Sequence, residues 1–283
     1  MRLNVSRIKD WDWCPQYQGY RWEEKRVRVG GPGRALWLGS RVHEVLAAAM
    51  EGKDGGKVVE GCKEEDEAQA KALDVAVEVW KGKIKPWERV LMVEEALETR
   101  VGGFDVETGM NWTTKRTEPV VVFGRPDAVV VWRDKVWHVQ HKTVGAGVPV
   151  AVFSKGVKRS LHELMYAKML KEKWPKMAYG GTMLNVVRKL GAKAMERDPG
   201  AALHMEFVPV GEAAIKRACG DVRLVAREIW EGDERGLYQN RASCVGRFGN
   251  SLCPYYGVCE GDEAIEGPGF EDKDPLEGYG DGS

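Results

Sequence analysis

Phe123-Gly124-Arg125-Pro126-Asp127-Ala128 opens the stretch of sequence that decides the fold, and it continues as Val129-Val130-Val131-Trp132. After the polar break Arg133-Asp134-Lys135 the chain resumes with Val136-Trp137-His138-Val139-Gln140-His141-Lys142-Thr143. β-branched and aromatic residues on both sides of a short polar break are typical of two paired strands. The sequence therefore predicts a hairpin with Asp127 near one end and Lys142 at the end of the return strand.

This predicted hairpin places three chemically useful side chains close together. Gln140 follows Asp127 by thirteen positions, a separation that a tight hairpin can bring side by side. An acid, an amide oxygen and a lysine suit metal-assisted hydrolysis of a phosphodiester, because oxygen ligands hold Mg²⁺ or Mn²⁺ and a lysine stabilises charge on the phosphate. The alternative is an ordinary hairpin with surface charges, and this pattern alone does not separate the two interpretations.

The same residues resemble the PD-(D/E)XK nuclease superfamily, whose G-x-x-D is followed by a strand ending in (D/E)-x-K-T. The matching positions are Gly124, Asp127 and the run Gln140-His141-Lys142-Thr143. The resemblance implies catalytic roles for Asp127, Gln140 and Lys142. Gln140 departs from the pattern, which has an acid at this position. Because an amide brings no charge, we expect weaker ion binding. A glutamate at position 140 is accordingly expected to keep or raise activity.

Length and composition place the chain among soluble globular proteins. It has 283 residues, of which 43% are hydrophobic and 30% are charged, enough for one large domain or a domain with appendages. No apolar run reaches membrane-spanning length and no signal peptide opens the chain, so we expect a cytoplasmic protein without a membrane partner. Six cysteines in such a chain favour a metal site or buried thiols over disulfides.

The formal charge of the chain is zero, but its distribution is uneven. Residues 260–283 carry nine acids and one lysine, a net charge of −8, which leaves +8 on residues 1–259. A glycine-rich acidic tail is typical of a disordered appendage. A basic body suits a polyanionic partner such as DNA, although plain solubility explains it nearly as well.

Periodicity outside the hairpin predicts further helices and strands. The predicted helices are one capped by Ser6 that stops before Pro15, and others at 35–50, 64–80, 158–174 and 212–231; the predicted strands are 90–98, 179–188 and 203–210, with a polar connection at 102–117.

Two helical patterns extend the resemblance to the RecB-like nucleases. Gly39-x-x-x-His43 matches their G-x-x-x-H, in which the histidine reaches the metal, and His162-x-x-x-Tyr166 matches their Q-x-x-x-Y in its tyrosine only. The resemblance implies that Tyr166 is catalytic and that His162 and Tyr166 contact DNA. The implied ligands of an Mg²⁺ or Mn²⁺ ion are His43, Asp127, Gln140 and the backbone carbonyl of His141.

The cysteines near the chain ends form a third pattern. Cys244, Cys253 and Cys259 cluster near the C-terminus, and Cys14-Pro15 is the natural fourth position. Spacing alone leaves zinc and a [4Fe–4S] cluster open. One cysteine near the start and three near the end resembles the iron–sulfur branch of the RecB-like nucleases, which includes AddB-type subunits, CRISPR-adaptation nucleases and phage exonucleases.

The expected fold is α/β, a PD-(D/E)XK (restriction-endonuclease-like) core with a mixed sheet flanked by helices. Predicted segments are a helical N-terminal arm at 1–85, the nuclease core at 86–232, a C-terminal cysteine region at 233–259 that packs with the N-terminus, and the acidic tail at 260–283.

The expected function is metal-dependent hydrolysis of DNA, as an exonuclease acting on ends or single strands. One alternative is a DNA-binding or scaffold protein with a degenerate site. Another is a CRISPR-adaptation nuclease that works with partner proteins. The resemblance also implies possible protein partners in recombination or repair, and a phage origin.

Overall fold

The computed structural model describes residues 1–28, 34–53, 87–108, 114–145, 149–189, 197–198, 203–235, 245–248, 251–260, 263–268 and 270–274. The chain divides into two compact units. We call Pro32–Leu97 with Arg125–Ile215 the central unit, and Met1–Gly31, Glu98–Gly124 and Lys216–Ser283 the terminal unit. Each unit is built from separate stretches of sequence, so the division does not follow the four predicted segments. Within the described part of the chain, no helix combines the length and apolarity that crossing a membrane requires.

The described elements, in chain order, are β1 (Arg2–Asn4), α1 (Val5–Trp13), α2 (Pro15–Gln18), a π-helical turn (Gly19–Glu23), β2 (Arg26–Arg28), α3 (Arg34–Met50), β3 (Arg89–Val93), β4 (Leu97–Thr108), β5 (Thr114–Gly124), β6 (Ala128–Trp132), β7 (Lys135–Gly145), α4 (Val150–Val157), α5 (Leu161–Lys173), β8 (Ala178–Lys189), β9 (Leu203–Val208), α6 (Glu212–Arg235), β10 (Val245–Phe248), β11 (Ser251–Leu252), α7 (Tyr256–Glu260) and β12 (Phe270–Asp272).

The central unit is organised around a five-stranded mixed sheet with the strand order β3-β6-β7-β8-β9. β7 pairs antiparallel with β6 and parallel with β8, and the other two pairs are antiparallel. A parallel pair requires a crossover, and α4 and α5 lie between β7 and β8 in the chain. The fold class is therefore mixed α/β, as the sequence predicts.

The predicted hairpin is confirmed as β6 and β7. Ala128 pairs with Val139 and Trp132 pairs with Lys135, which leaves Arg133 and Asp134 as a two-residue turn. Both turn residues have positive φ, 50° and 58°, the combination that a type I′ turn requires. This turn fixes the register, and the register sets which side chains meet at the other end of the hairpin.

Both faces of the sheet carry apolar cores. On one face Val42, Val45 and Leu46 of α3 pack with Val130 and Val139, and on the other Val157 of α4 packs with Leu184 and Val186. The predicted helix at 35–50 is confirmed as α3, because its apolar residues at i, i+3 and i+4 form the stripe that meets the sheet.

The terminal unit contains a three-stranded sheet of order β1-β5-β4, with β1 parallel to β5, and the two-stranded pairs β10-β11 and β12-β2. Tyr255 is 3% exposed, and its ring lies 5.2 Å from Tyr17, 5.1 Å from Tyr20 and 5.6 Å from Phe270, measured between centroids. Aromatic packing and the β2–β12 ladder thus join the two ends of the chain within this unit.

Several local predictions require correction. The cap of α1 is Asn4, whose Oδ1 accepts from the Ser6 N–H at 2.7 Å, so Ser6 itself lies inside the helix. Position 94 adopts positive φ, so the predicted strand at 90–98 is two strands, β3 and β4. The polar connection at 102–117 contains most of β4 and the start of β5.

The acidic tail also differs from its prediction. Phe270–Asp272 form β12 and Phe270 is buried, so the predicted disorder of 260–283 does not extend to this segment. The predicted helix at 64–80 lies outside the described residues.

Candidate metal centre

The hairpin places Asp127 directly before β6, beside the middle of β7. The side-chain Oδ2 of Asp127 accepts from the backbone N–H of His141 at 2.7 Å. Ala128 pairs with Val139, so Asp127 lies one residue further along the hairpin, beside Gln140. The bond to His141 holds the Asp127 carboxylate at this position. The predicted proximity of Asp127 to the Gln140-His141-Lys142 segment is therefore present.

His43 reaches the same place from α3. Its Nδ1 lies 3.6 Å from Oδ1 of Asp127, and its ring meets the ring of His141 edge-on at 5.7 Å. One turn earlier, a Cβ at Gly39 would lie 3.1 Å from Oγ1 of Thr143. Glycine therefore allows α3 to lie close against β7, and the Gly39-x-x-x-His43 spacing brings the imidazole to the carboxylate.

Glu94 supplies a second carboxylate at this point. His43, Glu94 and Asp127 each offer one ligand atom, and the three atoms lie within 4.8 Å of one another. Glu94 has φ of +49°, a conformation that costs free energy for a residue with a side chain and that clusters at functional sites. Its N–H donates to the backbone oxygen of Asp127 at 3.2 Å, which holds the residue beside the hairpin.

The electrostatics of the two acids suit a bound cation. Burial raises the pKa of Asp127, but His43, His141, Lys142 and the His141 N–H act against burial, and the net pKa is lowered. Partial burial raises the pKa of Glu94, and the nearby Asp127 raises it further. Two adjacent carboxylates repel each other in the absence of a cation. Two carboxylates and an imidazole are a donor set that Mg²⁺ and Mn²⁺ accept.

An open cleft of about 800 Å³ lies over this group and is lined by His43, Glu94, His141 and Lys142. His141 is 2% exposed, and burial lowers its pKa to about 4 despite the opposing effect of Asp127. Its ring is therefore neutral at neutral pH. Lys142 is the cationic side chain of β7 at the cleft, so the predicted Asp127 and Lys142 belong to one site.

Gln140 occupies a different position from the three-residue group. It is 4% exposed, and its Nε2 donates to Oε1 of Glu163 on α5. The amide nitrogen is thus engaged by a carboxylate, and only the carbonyl oxygen of this side chain remains for a cation. A metal-ligand role for Gln140 and for the His141 carbonyl stays a prediction.

The two predicted DNA contacts lie on α5 and are engaged within the central unit. Tyr166 is 5% exposed, and its hydroxyl donates to the backbone oxygen of Arg125 at 2.9 Å. His162 lies 2.9 Å from Ser160 Oγ through Nδ1 and 3.0 Å from Glu163 Oε1 through Nε2. Their predicted contact with DNA, and a catalytic role for Tyr166, are not tested by these contacts.

Sequence patterns gave little weight to two acids, one in the candidate metal group and one beside Gln140. Glu94 looks like a solvent-facing strand residue, and only its positive φ turns it to the site. Glu163 shares a helical face with Ala167 and Leu170 at i+4 and i+7, and all three are at most 1% exposed. A glutamate at an apolar helical position is the signal that could have identified it.

The described cysteines of the predicted cluster all lie in the terminal unit. Cys14 is buried at the end of α1, Cys259 lies in α7, and Cys253 is half-buried. Tyr20 hydrogen-bonds to Cys259; burial, with a further contribution from Cys259, raises the pKa of Tyr20 to about 12. Cys244 lies outside the described residues. The three thiols belong to the segments that the Tyr255 aromatic packing joins. Their role as ligands of a cluster stays a prediction.

Comparison with known proteins adds no family. No family model and no curated protein matches the chain. Solved structures do match it, among them the crystal structure of SSO0001, which is 14% identical over 81% of this chain and 75% of that chain, with a TM-score of 0.30. A likeness at that TM-score supports no conclusion about the fold or the function of this protein.

Proposed function

We propose that this protein is a metal-dependent DNA nuclease of the RecB-like PD-(D/E)XK type, acting as an exonuclease on DNA ends or single strands. The observation that carries the proposal is the convergence of His43, Glu94 and Asp127 within 4.8 Å at a cleft that Lys142 also lines. Acids, an imidazole and a lysine at one open cleft are the groups that phosphodiester hydrolysis requires.

His43, Glu94 and Asp127 are the residues that would hold Mg²⁺ or Mn²⁺. Such an ion would supply Lewis acidity and an activated water. The β7 backbone orients Asp127 through the N–H of His141, and α3 orients His43. Since a backbone N–H holds the Asp127 carboxylate, that part of the site is preorganised.

Lys142 is assigned the role of orienting the attacking water and stabilising charge that develops on the phosphate. An ammonium group at the cleft is a mobile point charge, which suits a phosphate oxygen whose charge increases in the transition state. His141 contributes a neutral ring that packs against His43, so it adds no positive charge to compete with a cation.

The terminal unit is proposed to carry a [4Fe–4S] cluster held by Cys14, Cys244, Cys253 and Cys259. The support is the packing of the N-terminal and C-terminal segments around Tyr255, which brings the regions of Cys14 and Cys259 together. Four thiolates are the usual ligands of such a cluster. The cluster would be structural, because it links segments that the sequence separates by more than two hundred residues.

The digestion of end-labelled single- and double-stranded DNA tests this proposal. Reduced, cluster-loaded protein is titrated with Mg²⁺ and with Mn²⁺ beside Asp127→Asn, which keeps the shape of the side chain and removes its charge. We expect cleavage by the wild type that depends on the divalent ion and is lost in Asp127→Asn. Wild-type protein that never cuts DNA at any ion concentration would contradict the nuclease assignment.

A DNA-binding protein with a degenerate site is the second candidate. The observation that favours it is Gln140, an uncharged side chain whose amide nitrogen is already engaged by Glu163. On this alternative the basic body of the chain binds DNA with a steep salt dependence, and the same labelled DNA is bound by the protein but stays uncut in every metal condition.

A further inference from the structure

The buried carboxylate of Glu163 is not explained by the metal site. It lies on α5, is 1% exposed, and has Ala167 and Leu170 along the same buried face. A carboxylate is rarely buried unless several donors compensate its charge, because removal from water costs several kcal/mol per ion. The neighbouring side chains on β7 and α5 therefore indicate what Glu163 does.

Three polar side chains lie against this carboxylate, and one of the contacts, between His138 Nδ1 and Glu163 Oε2, does not meet hydrogen-bond geometry. Gln140 donates to Oε1 through Nε2, His162 Nε2 lies 3.0 Å from the same oxygen, and His138 Nδ1 lies 3.1 Å from Oε2. Burial raises the pKa of Glu163, but His162, His138 and Lys142 outweigh burial and lower it to about 2. The group is therefore an ionised carboxylate inside the central unit.

The hydrogen bond from Gln140 Nε2 to Glu163 sets which way the Gln140 amide points. The oxygen and nitrogen of an amide are told apart by their hydrogen-bond partners, and a carboxylate only accepts. Nε2 must therefore face Glu163, and Oε1 faces away from it. Alternation along β7 also places His138, Gln140 and Lys142 on one face of the strand.

We propose that Gln140 and Glu163 form a pair that carries one negative charge, in which Glu163 is a positioning residue that holds the Gln140 amide with its oxygen directed away from α5. The pairing stands on the contacts within the central unit. The consequence that Gln140 Oε1 serves the cation rests on the proposed function.

The pair adds a loss of stability to Gln140→Glu, a substitution that the sequence predicts to keep or raise activity. A second acid at position 140 would place two carboxylates in contact at a site from which water is excluded, so Gln140→Glu should destabilise the protein. Exchanging the two residues, in Gln140→Glu with Glu163→Gln, keeps one acid, one amide and the same total charge. The double variant should therefore recover the stability that each single variant loses.

Thermal unfolding in EDTA tests the pair without reference to activity. The set comprises the wild type, Gln140→Glu, Glu163→Gln and the double variant, with Glu172→Gln as the matched control because it makes the same change on an exposed position of α5. We expect Gln140→Glu to lower the Tm by roughly 5–10 °C, the scale for a few kcal/mol in a chain of this size. The double variant should unfold within a few degrees of the wild type, as should the control.

The positioning role has a separate readout in the dissociation constant for Mn²⁺, measured by calorimetry. Glu163→Gln should weaken Mn²⁺ binding, because an amide partner no longer fixes the orientation of Gln140, and the double variant should restore it. Rescue of the Tm without rescue of Mn²⁺ binding would overturn the positioning role. Gln140→Glu with a wild-type Tm, or a double variant no more stable than its weaker parent, would overturn the pair.

The two proposals fail in different ways. If the single variants do not fold, the double variant decides the pairing alone: a wild-type Tm supports it and an unfolded protein contradicts it. If wild-type protein binds no Mn²⁺ and cuts no DNA, the proposed function fails while the comparison of Tm values still tests the pair.

Discussion

Glu94→Gln is the most direct test of whether His43, Glu94 and Asp127 bind a divalent ion. Glu94 supplies one of two carboxylates among three ligand atoms within 4.8 Å, and glutamine preserves its length while removing the charge. The substitution should weaken divalent-ion binding and leave the fold intact. Its matched control is Glu95→Gln, which changes the next residue, an exposed acid whose carboxylate lies 4.0 Å from Lys173.

The size of the effect follows from the unit of negative charge that the substitution removes. Two unit charges about 4 Å apart interact by roughly 1 kcal/mol in water and roughly 4 kcal/mol at the effective dielectric constant of a protein surface. Glu94 is exposed and faces an open cleft, so we expect an intermediate loss of about 2 kcal/mol, or roughly 30-fold in the dissociation constant for Mn²⁺.

The metal-free protein should respond in the opposite sense. Burial and the neighbouring Asp127 both raise the pKa of Glu94, so in the absence of a cation its charge is unfavourable. Glu94→Gln should therefore leave the Tm in EDTA unchanged or slightly higher. Calorimetric titration with Mn²⁺ and thermal unfolding in EDTA measure the two effects. A Glu94→Gln protein with wild-type Mn²⁺ affinity, or an equal loss in Glu95→Gln, would refute the assignment of Glu94 to the metal.

Three further predictions concern the framework of the two units. A Cβ at Gly180 would overlap the indole ring of Trp137, so Gly180→Ala should lower the Tm by roughly 5 °C or more, the scale for overpacking. Gly156→Ala, where a Cβ meets nothing within 4 Å, should not lower it. Cys253→Ala should contain less iron and yield less soluble protein. Cys219→Ala in α6 should keep the roughly four irons per chain of a [4Fe–4S] cluster. Stoichiometric zinc in the wild type would contradict this prediction. Phe270→Ala should lower the free energy of unfolding by about 3–5 kcal/mol, while Leu224→Ala, at an exposed position, should change it little. Equal stability of the two variants would show that β12 does not hold the tail.

The sequence predicted the elements whose local signals agree with the tertiary structure. β6 and β7 are β-branched on both sides of a polar turn, and the apolar stripe of α3 faces a single core. Strand 90–98 was predicted as one piece because its composition is uniform, and the left-handed backbone at Glu94 is stabilised by a contact with Asp127 that local sequence does not contain.

The candidate site was predictable where residues approach each other along one hairpin or one helix turn. Asp127, His141 and Lys142 meet through strand register, and His43 follows from its spacing after Gly39. Glu163 was not predictable in this way, because a single glutamate in a helix is usually solvated and its polar partners come from β7 and from the preceding residue, His162. The buried contact with Gln140 is a property of tertiary packing.

Lys142 is proposed to act on the reacting phosphate, and comparing DNA cleavage with DNA binding in Lys142→Ala tests this role most directly. Reduced, cluster-loaded protein is measured under single-turnover conditions with Mn²⁺, beside Lys135→Ala, which removes an exposed lysine at the turn end of the same strand. Lys142→Ala should bind DNA nearly as tightly as the wild type and cut it at least ~100-fold more slowly, the scale for loss of an electrostatic catalytic group. Lys135→Ala should bind and cut DNA as the wild type does. Equal losses of binding and cleavage in Lys142→Ala, or cleavage at the wild-type rate, would contradict the account.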